Sequence, residues 1–296
     1  MPLKIVKGPP NSGRTEEIRR AYVESLPRRP VLVVPGTDDI FGWEERLTRE
    51  RRAFLGGRVL HFRDLIGEIL GRDPTDRSDL VSPLHRRALA RAAVREGWPG
   101  IANRLERQPG LIDAALRAVD ELRAALIDPG TFDDRAAGGD DFLARIGAVF
   151  RRYVEGLAAA GLEDDASLGL RALAAPLDGW SSRPVFVAGF DDLTELQLEL
   201  LARLAAATEV TIAITHEDGS PAMAVTDRLL ARLLEHGTIA GSTPRQAAAE
   251  TGRDPLLVEI ERRFLRRPED WAAEGGGADG DGRGGGAPPA PLDPGP

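Results

Sequence analysis

Leu3-Lys4-Ile5-Val6-Lys7-Gly8-Pro9-Pro10-Asn11-Ser12-Gly13-Arg14-Thr15 runs from an apolar segment through a glycine- and proline-rich break into a stretch that reads as helix to about Leu26. Strand, glycine loop, helix is how an α/β protein begins. Gly8, Gly13 and Thr15 fit the spacing G-x-x-x-x-G-K-[ST], with Arg14 where lysine is called for. A loop of this kind curls backbone N–H groups around a phosphate at a helix N-terminus, and the final hydroxyl ligates Mg2+. Gly8, Pro9, Pro10, Asn11, Ser12, Gly13, Arg14 and Thr15 are therefore the candidate residues for ATP with Mg2+. The same stretch also reads as a plain tight turn. Arginine carries lysine's charge in a larger planar group, so the loop is expected to hold phosphate better than to hydrolyse it.

Further along, Val31-Leu32-Val33-Val34 is a continuous apolar run between prolines, as in a strand covered on both faces of a parallel sheet. A helix over Phe41–Phe54, a strand at Arg58-Val59-Leu60 and a helix over Phe62–Leu70 continue the alternation. From about Arg72 the periodicity is helical for more than a hundred residues, with helices expected at Pro83–Glu96, Leu111–Leu126 and Phe142–Ala160. The α/β pattern returns at a strand over Val185–Phe190, a helix over Leu193–Ala206 and a strand over Val210–Ile214. A helix over Thr226–His236, a polar loop and an amphipathic helix at about 255–265 follow. The expected plan is a parallel α/β sheet interrupted by an all-helical insertion. It has a first α/β part at 1–71, the insertion at 72–183, a return to α/β at 184–273 and a disordered tail at 274–296. Nine of the tail's 23 residues are Gly and five are Pro, too few apolar groups to bury.

Composition excludes several chemistries. Among 296 residues there is no cysteine, so disulfides, thiolate zinc sites, iron–sulfur clusters and cysteine nucleophiles are ruled out. The four histidines show no metal-ligand spacing. No run approaches the roughly 18 apolar residues of a membrane span, and no secretory segment is visible, so cytoplasmic residence is expected. A net charge of −8 argues against a general nucleic-acid coat. Local arginine groups remain, and Arg46, Arg49, Arg51 and Arg52 form the best candidate contact for DNA phosphates.

The strand Val185-Phe186-Val187-Ala188-Gly189-Phe190-Asp191-Asp192 resembles the second motif of superfamily 1 helicases, an apolar strand ending in Asp-Glu-x-Gln-Asp. Ala188 and Gly189 stand where the Asp-Glu pair would, and Asp191 and Asp192 follow it. With the glycine loop, Val33-Val34-Pro35 and Val59 to Ile66, the stretch from about 3 to 265 is similar to the helicase-like N-terminal region of the B subunit of the AddAB helicase–nuclease. The resemblance implies a RecA-like P-loop fold whose insertion is a 1B-like subdomain. It also implies a scaffold or DNA-contacting part, without motor activity, of a double-strand-break repair machine partnered by an AddA-like motor subunit. The family's nuclease needs a lysine beside paired carboxylates, and Lys4 and Lys7 precede every acidic residue, so no nuclease is expected in this chain. Two alternatives stay open: an active P-loop ATPase or nucleotide kinase using Gly8 to Thr15, and a truncated gene product without independent function.

Overall fold

The structure, a computed structural model, describes residues 3–50, 55–73, 79–101, 110–220 and 223–242 and positions 254, 256, 257 and 260. Met1–Gln246 form one unit and Ala247–Pro296 another. In the second, Leu256, Leu257 and Ile260 are exposed. The rest of the helix expected there, and the tail at 274–296, lie outside the described residues.

In the first unit, β1 (Leu3–Gly8) is followed by α1 (Arg14–Glu24), β2 (Val31–Val33), α2 (Thr37–Glu50), β3 (Arg58–Leu60) and α3 (Phe62–Ile69). A helical stretch holds α4 (Pro83–Gly97), α5 (Gly110–Ala124), α6 (Pro129–Ala136), α7 (Asp141–Ala159) and α8 (Asp165–Ala174). Then come β4 (Val185–Val187), α9 (Glu195–Ala207), β5 (Val210–Thr215), α10 (Ala224–His236) and β6 (Gly237–Ser242). The six strands form one sheet in the order β3-β2-β4-β5-β1-β6, and every neighbouring pair is parallel. The protein is thus an α/β protein.

Parallel strands need crossovers, and the crossovers cover both faces. On one face Ile18 and Tyr22 of α1 and Trp43 and Leu47 of α2, each pair one helical turn apart, pack on Leu32, Phe186 and Ala213. On the other face α3, α8, α9 and α10 cover Ile5, Val33, Val187 and Ile212. Burial on both sides is why Val31 to Val33 and Val185 to Val187 read as unbroken apolar runs.

The helices between β3 and β4 build a separate core from Ala90, Val94, Leu116, Val119, Phe150, Tyr153 and Leu157. Among the described helices, α4 to α7 share it. Leu168 and Ala172 of α8 join the sheet's core instead. Where the two cores adjoin, Asp164 caps α8 by accepting from the Ser167 N–H at 2.9 Å, and it accepts from Arg123 Nη1 of α5 at 2.7 Å.

Three boundaries differ from the sequence reading. The strand at 185 stops at Val187, because Gly189 sits in a left-handed turn (φ 88°) against Pro35, where a Cβ would meet the proline ring at 3.2 Å. Helix α2 starts at Thr37, with Asp38 and Asp39 in its first turn favoured by the helix dipole. The loop expected after His236 begins instead with β6, which pairs with the open edge of β1. Gly237 permits that pairing, since a Cβ there would lie 2.3 Å from the Leu3 carbonyl oxygen.

Candidate functional site

In an open parallel sheet the ligand crevice lies beyond the carboxyl ends of the strands, where neighbouring strands send their connections in opposite directions. Two neighbouring pairs meet this condition here, β2 with β4 and β1 with β5, and the glycine loop stands at the second. From β1 the chain crosses through α1 toward β2, and from β5 it crosses through α10 to β6 on the other side. Gly8, the last residue of β1, lies opposite Thr215, the last residue of β5. Topology therefore places the glycine loop where ligands bind in such sheets.

Within the loop, Asn11 (φ 58°) and Gly13 (φ 93°) are left-handed, and Ser12 between them is buried. Such alternation turns successive N–H groups to one side, as anion-holding loops do. Pro9 and Pro10 supply no N–H, so the donors are confined to the loop's second half. Gly13 ends the loop, its carbonyl accepting from Glu16 and Glu17 at 3.0 Å to start α1.

Arg14 does not extend from the loop; it folds back over it. Its Nη1 donates to the carbonyls of Gly8 and Pro9 and reaches Ser12 Oγ at 3.4 Å. Its Nη2 donates to Thr215 Oγ1 at 2.7 Å, tying the loop to β5. All these acceptors are neutral, and burial alone pulls the guanidinium below its ordinary value.

A second polar group flanks the loop, and its members come from β1, the β5–α10 connection and α10. The backbone N–H of His216 donates to the Gly8 carbonyl at 2.9 Å. The buried His216 ring lies 3.0 Å from Asp218 Oδ1 through Nε2 and 3.2 Å from Thr226 Oγ1 through Nδ1. Lys7 Nζ donates to Asp218 Oδ2 at 2.8 Å, and the hydrogen bonds from Lys7 and then His216 hold the Asp218 carboxyl below the usual range. The sequence reading missed Thr215, His216, Asp218 and Thr226. A signal was present: Thr215-His216-Glu217-Asp218 is an abrupt polar run at the end of an apolar strand. Lys7, which precedes every acidic residue in sequence, acquires a carboxylate 211 residues away. Position in the sequence therefore does not separate this lysine from carboxylates, since the fold sets Asp218 against it.

The other candidates lie apart from the loop. Ala188 is buried, and Asp191 and Asp192 are exposed beyond the end of β4. Asp192 Oδ1 accepts from the Leu193 N–H at 2.8 Å, a local turn bond before α9. Strand β5 stands between β4 and β1, so these carboxylates start about 10 Å across the sheet from the glycine loop. Arg46 and Arg49 are exposed on α2, and Arg49 pairs with Glu45 at 2.9 Å. Arg51 and Arg52 lie outside the described residues.

For Mg·ATP these residues make half a site. The left-handed pair and the start of α1 suit an oxyanion, while Ala188, just past the end of β4, is buried and carries no group that could hold a metal. Among the described residues no three His, Asp or Glu side chains gather as metal ligands, and no helix is long and apolar enough to cross a membrane. Searched against known proteins, the chain matches no family model and no curated sequence.

Proposed function

We propose that this chain is a helicase-like domain without motor chemistry, acting as a scaffold and DNA contact within an AddAB-type repair helicase–nuclease beside an AddA-like motor subunit. The observation that carries the reading is Arg14, whose guanidinium is engaged by the loop's own carbonyls and by Thr215. A group committed to those oxygens holds the loop shut from within. Supporting it are the parallel sheet, the helical stretch between β3 and β4, and Ala188 at the end of the strand that resembles the second helicase motif.

Calorimetric titration with Mg·ATP, paired with fluorescence anisotropy on labelled single-stranded and duplex DNA, tests this reading. The expected result is no nucleotide binding up to millimolar concentration and DNA binding that weakens steeply with salt, as phosphate contacts require. Micromolar Mg·ATP binding favours the active ATPase or kinase. Absence of both nucleotide and DNA binding removes the DNA-contact role.

A further inference from the structure

A second cavity, away from the glycine loop, lies where the helical stretch meets the sheet. It measures about 740 Å3 and is bounded by α3, the start of α9, residues 80–83 and the α7–α8 connection. That size falls within the range of small-molecule sites, about 300–1,000 Å3. Phe62, Ile66, Leu80 and Leu196 are among its apolar lining.

The class of ligand follows from counting which polar groups on the walls are already used. Asp164 is saturated: one oxygen accepts from Arg123 and Tyr153, the other from the Ser167 N–H and hydroxyl. Asp120 accepts from Arg86, and Asp165 pairs with Arg63 at 3.1 Å. Glu163 is shared between Arg171 and Arg72. The carboxylates are thus committed to the protein's own arginines.

The donors are not. Arg63 meets Asp165 through Nε, and its two Nη groups have no partner among the described residues. Arg86 uses Nε on Tyr153 and Nη2 on Asp120, which leaves Nη1. Thr194 and Gln197 spend their acceptor oxygens on the capping box of α9, which leaves the Thr194 O–H and the Gln197 amide N–H2. An apolar lining beside spare donors calls for an acceptor-rich ligand, and a planar guanidinium with two open Nη groups matches a carboxylate best.

We propose that this cavity binds a small amphiphilic carboxylate, its apolar body on Phe62, Ile66 and Leu196 and its carboxylate on Arg63. The site is independent of the helicase-like reading and of the glycine loop.

Titration of the full chain with 8-anilinonaphthalene-1-sulfonate, an apolar body bearing one oxyanion, followed by displacement with decanoate and with decylamine, tests the site. Saturable one-site binding is expected, displaced by decanoate at least tenfold more effectively than by decylamine. Arg63→Ala should weaken the dye and decanoate at least fivefold, and Arg63→Lys should restore part of the loss. Arg63 is half exposed, so folding of the variant, checked by near-ultraviolet circular dichroism, is expected to be unchanged. Non-saturable fluorescence, equal displacement by the amine, or unaltered binding in a folded Arg63→Ala overturns the proposal.

Discussion

Arg14 converts a loop that suits an anion into one that satisfies itself. Its guanidinium is half buried and faces only neutral oxygens, so its contribution is hydrogen bonding to groups that would otherwise compete for water. Arg14→Ala should therefore destabilise the fold by about 1–2 kcal/mol, read as a lower urea midpoint with unchanged slope. Gain of stability, or no change, would show that the guanidinium holds nothing. A second residue-scale consequence concerns acid. The hydrogen bonds from Arg72 hold the Asp79 carboxyl at about 2. Because that value lies below the unfolded carboxylate's, about 4, the pair's contribution is present above pH 4 and is lost as pH falls toward 2. Asp79→Asn should flatten the loss of stability across that window in a urea series run at each pH, whereas an unchanged acid limb would mean that the pair carries no linkage. The Arg14 substitution is visible in sequence, but the direction its side chain takes is not, because Thr215 reaches it only through the β1–β5 pairing.

Among the elements, those with strong local signals match the sequence reading within a few residues. The Ser82-Pro83 start of α4 is one: Ser82 Oγ accepts from the His85 N–H at 3.2 Å and proline stands at the first helical position. The apolar face of α3, Phe62, Leu65, Ile66 and Ile69, is another. Strand β6 escapes such reading because Gly-Thr-Ile-Ala-Gly-Ser has neither alternation nor a long apolar run, and the edge of β1 supplies its ladder. The allegiance of α8 is equally hidden, since an apolar stripe does not say which core will take it. What joins α5 to α8 is the buried Arg123–Asp164 pair, extended by the Tyr153 hydroxyl, whose proton burial raises to about 12. Removing one partner leaves the other charge buried and unpaired. Arg123→Met should cost about 3–5 kcal/mol in chemical denaturation, and a loss below about 1 kcal/mol would mean that Asp164 finds water or another cation.

At the scale of the whole molecule, alternation of strands and helices is legible because each crossover leaves its own period in the sequence. Strand order is not, because it depends on which edges meet after folding. It is that order, β3-β2-β4-β5-β1-β6, that brings the glycine loop, Thr215 and His216 to one crevice and holds Ala188 to Asp192 apart from it. The proposed domain without motor chemistry requires that this crevice perform no nucleotide hydrolysis. Steady-state turnover of Mg·ATP by the full chain, with and without single-stranded DNA and alongside Arg14→Ala, tests it most directly. The predicted result is phosphate release at the buffer rate in every arm. DNA-stimulated turnover that Arg14→Ala abolishes would contradict it.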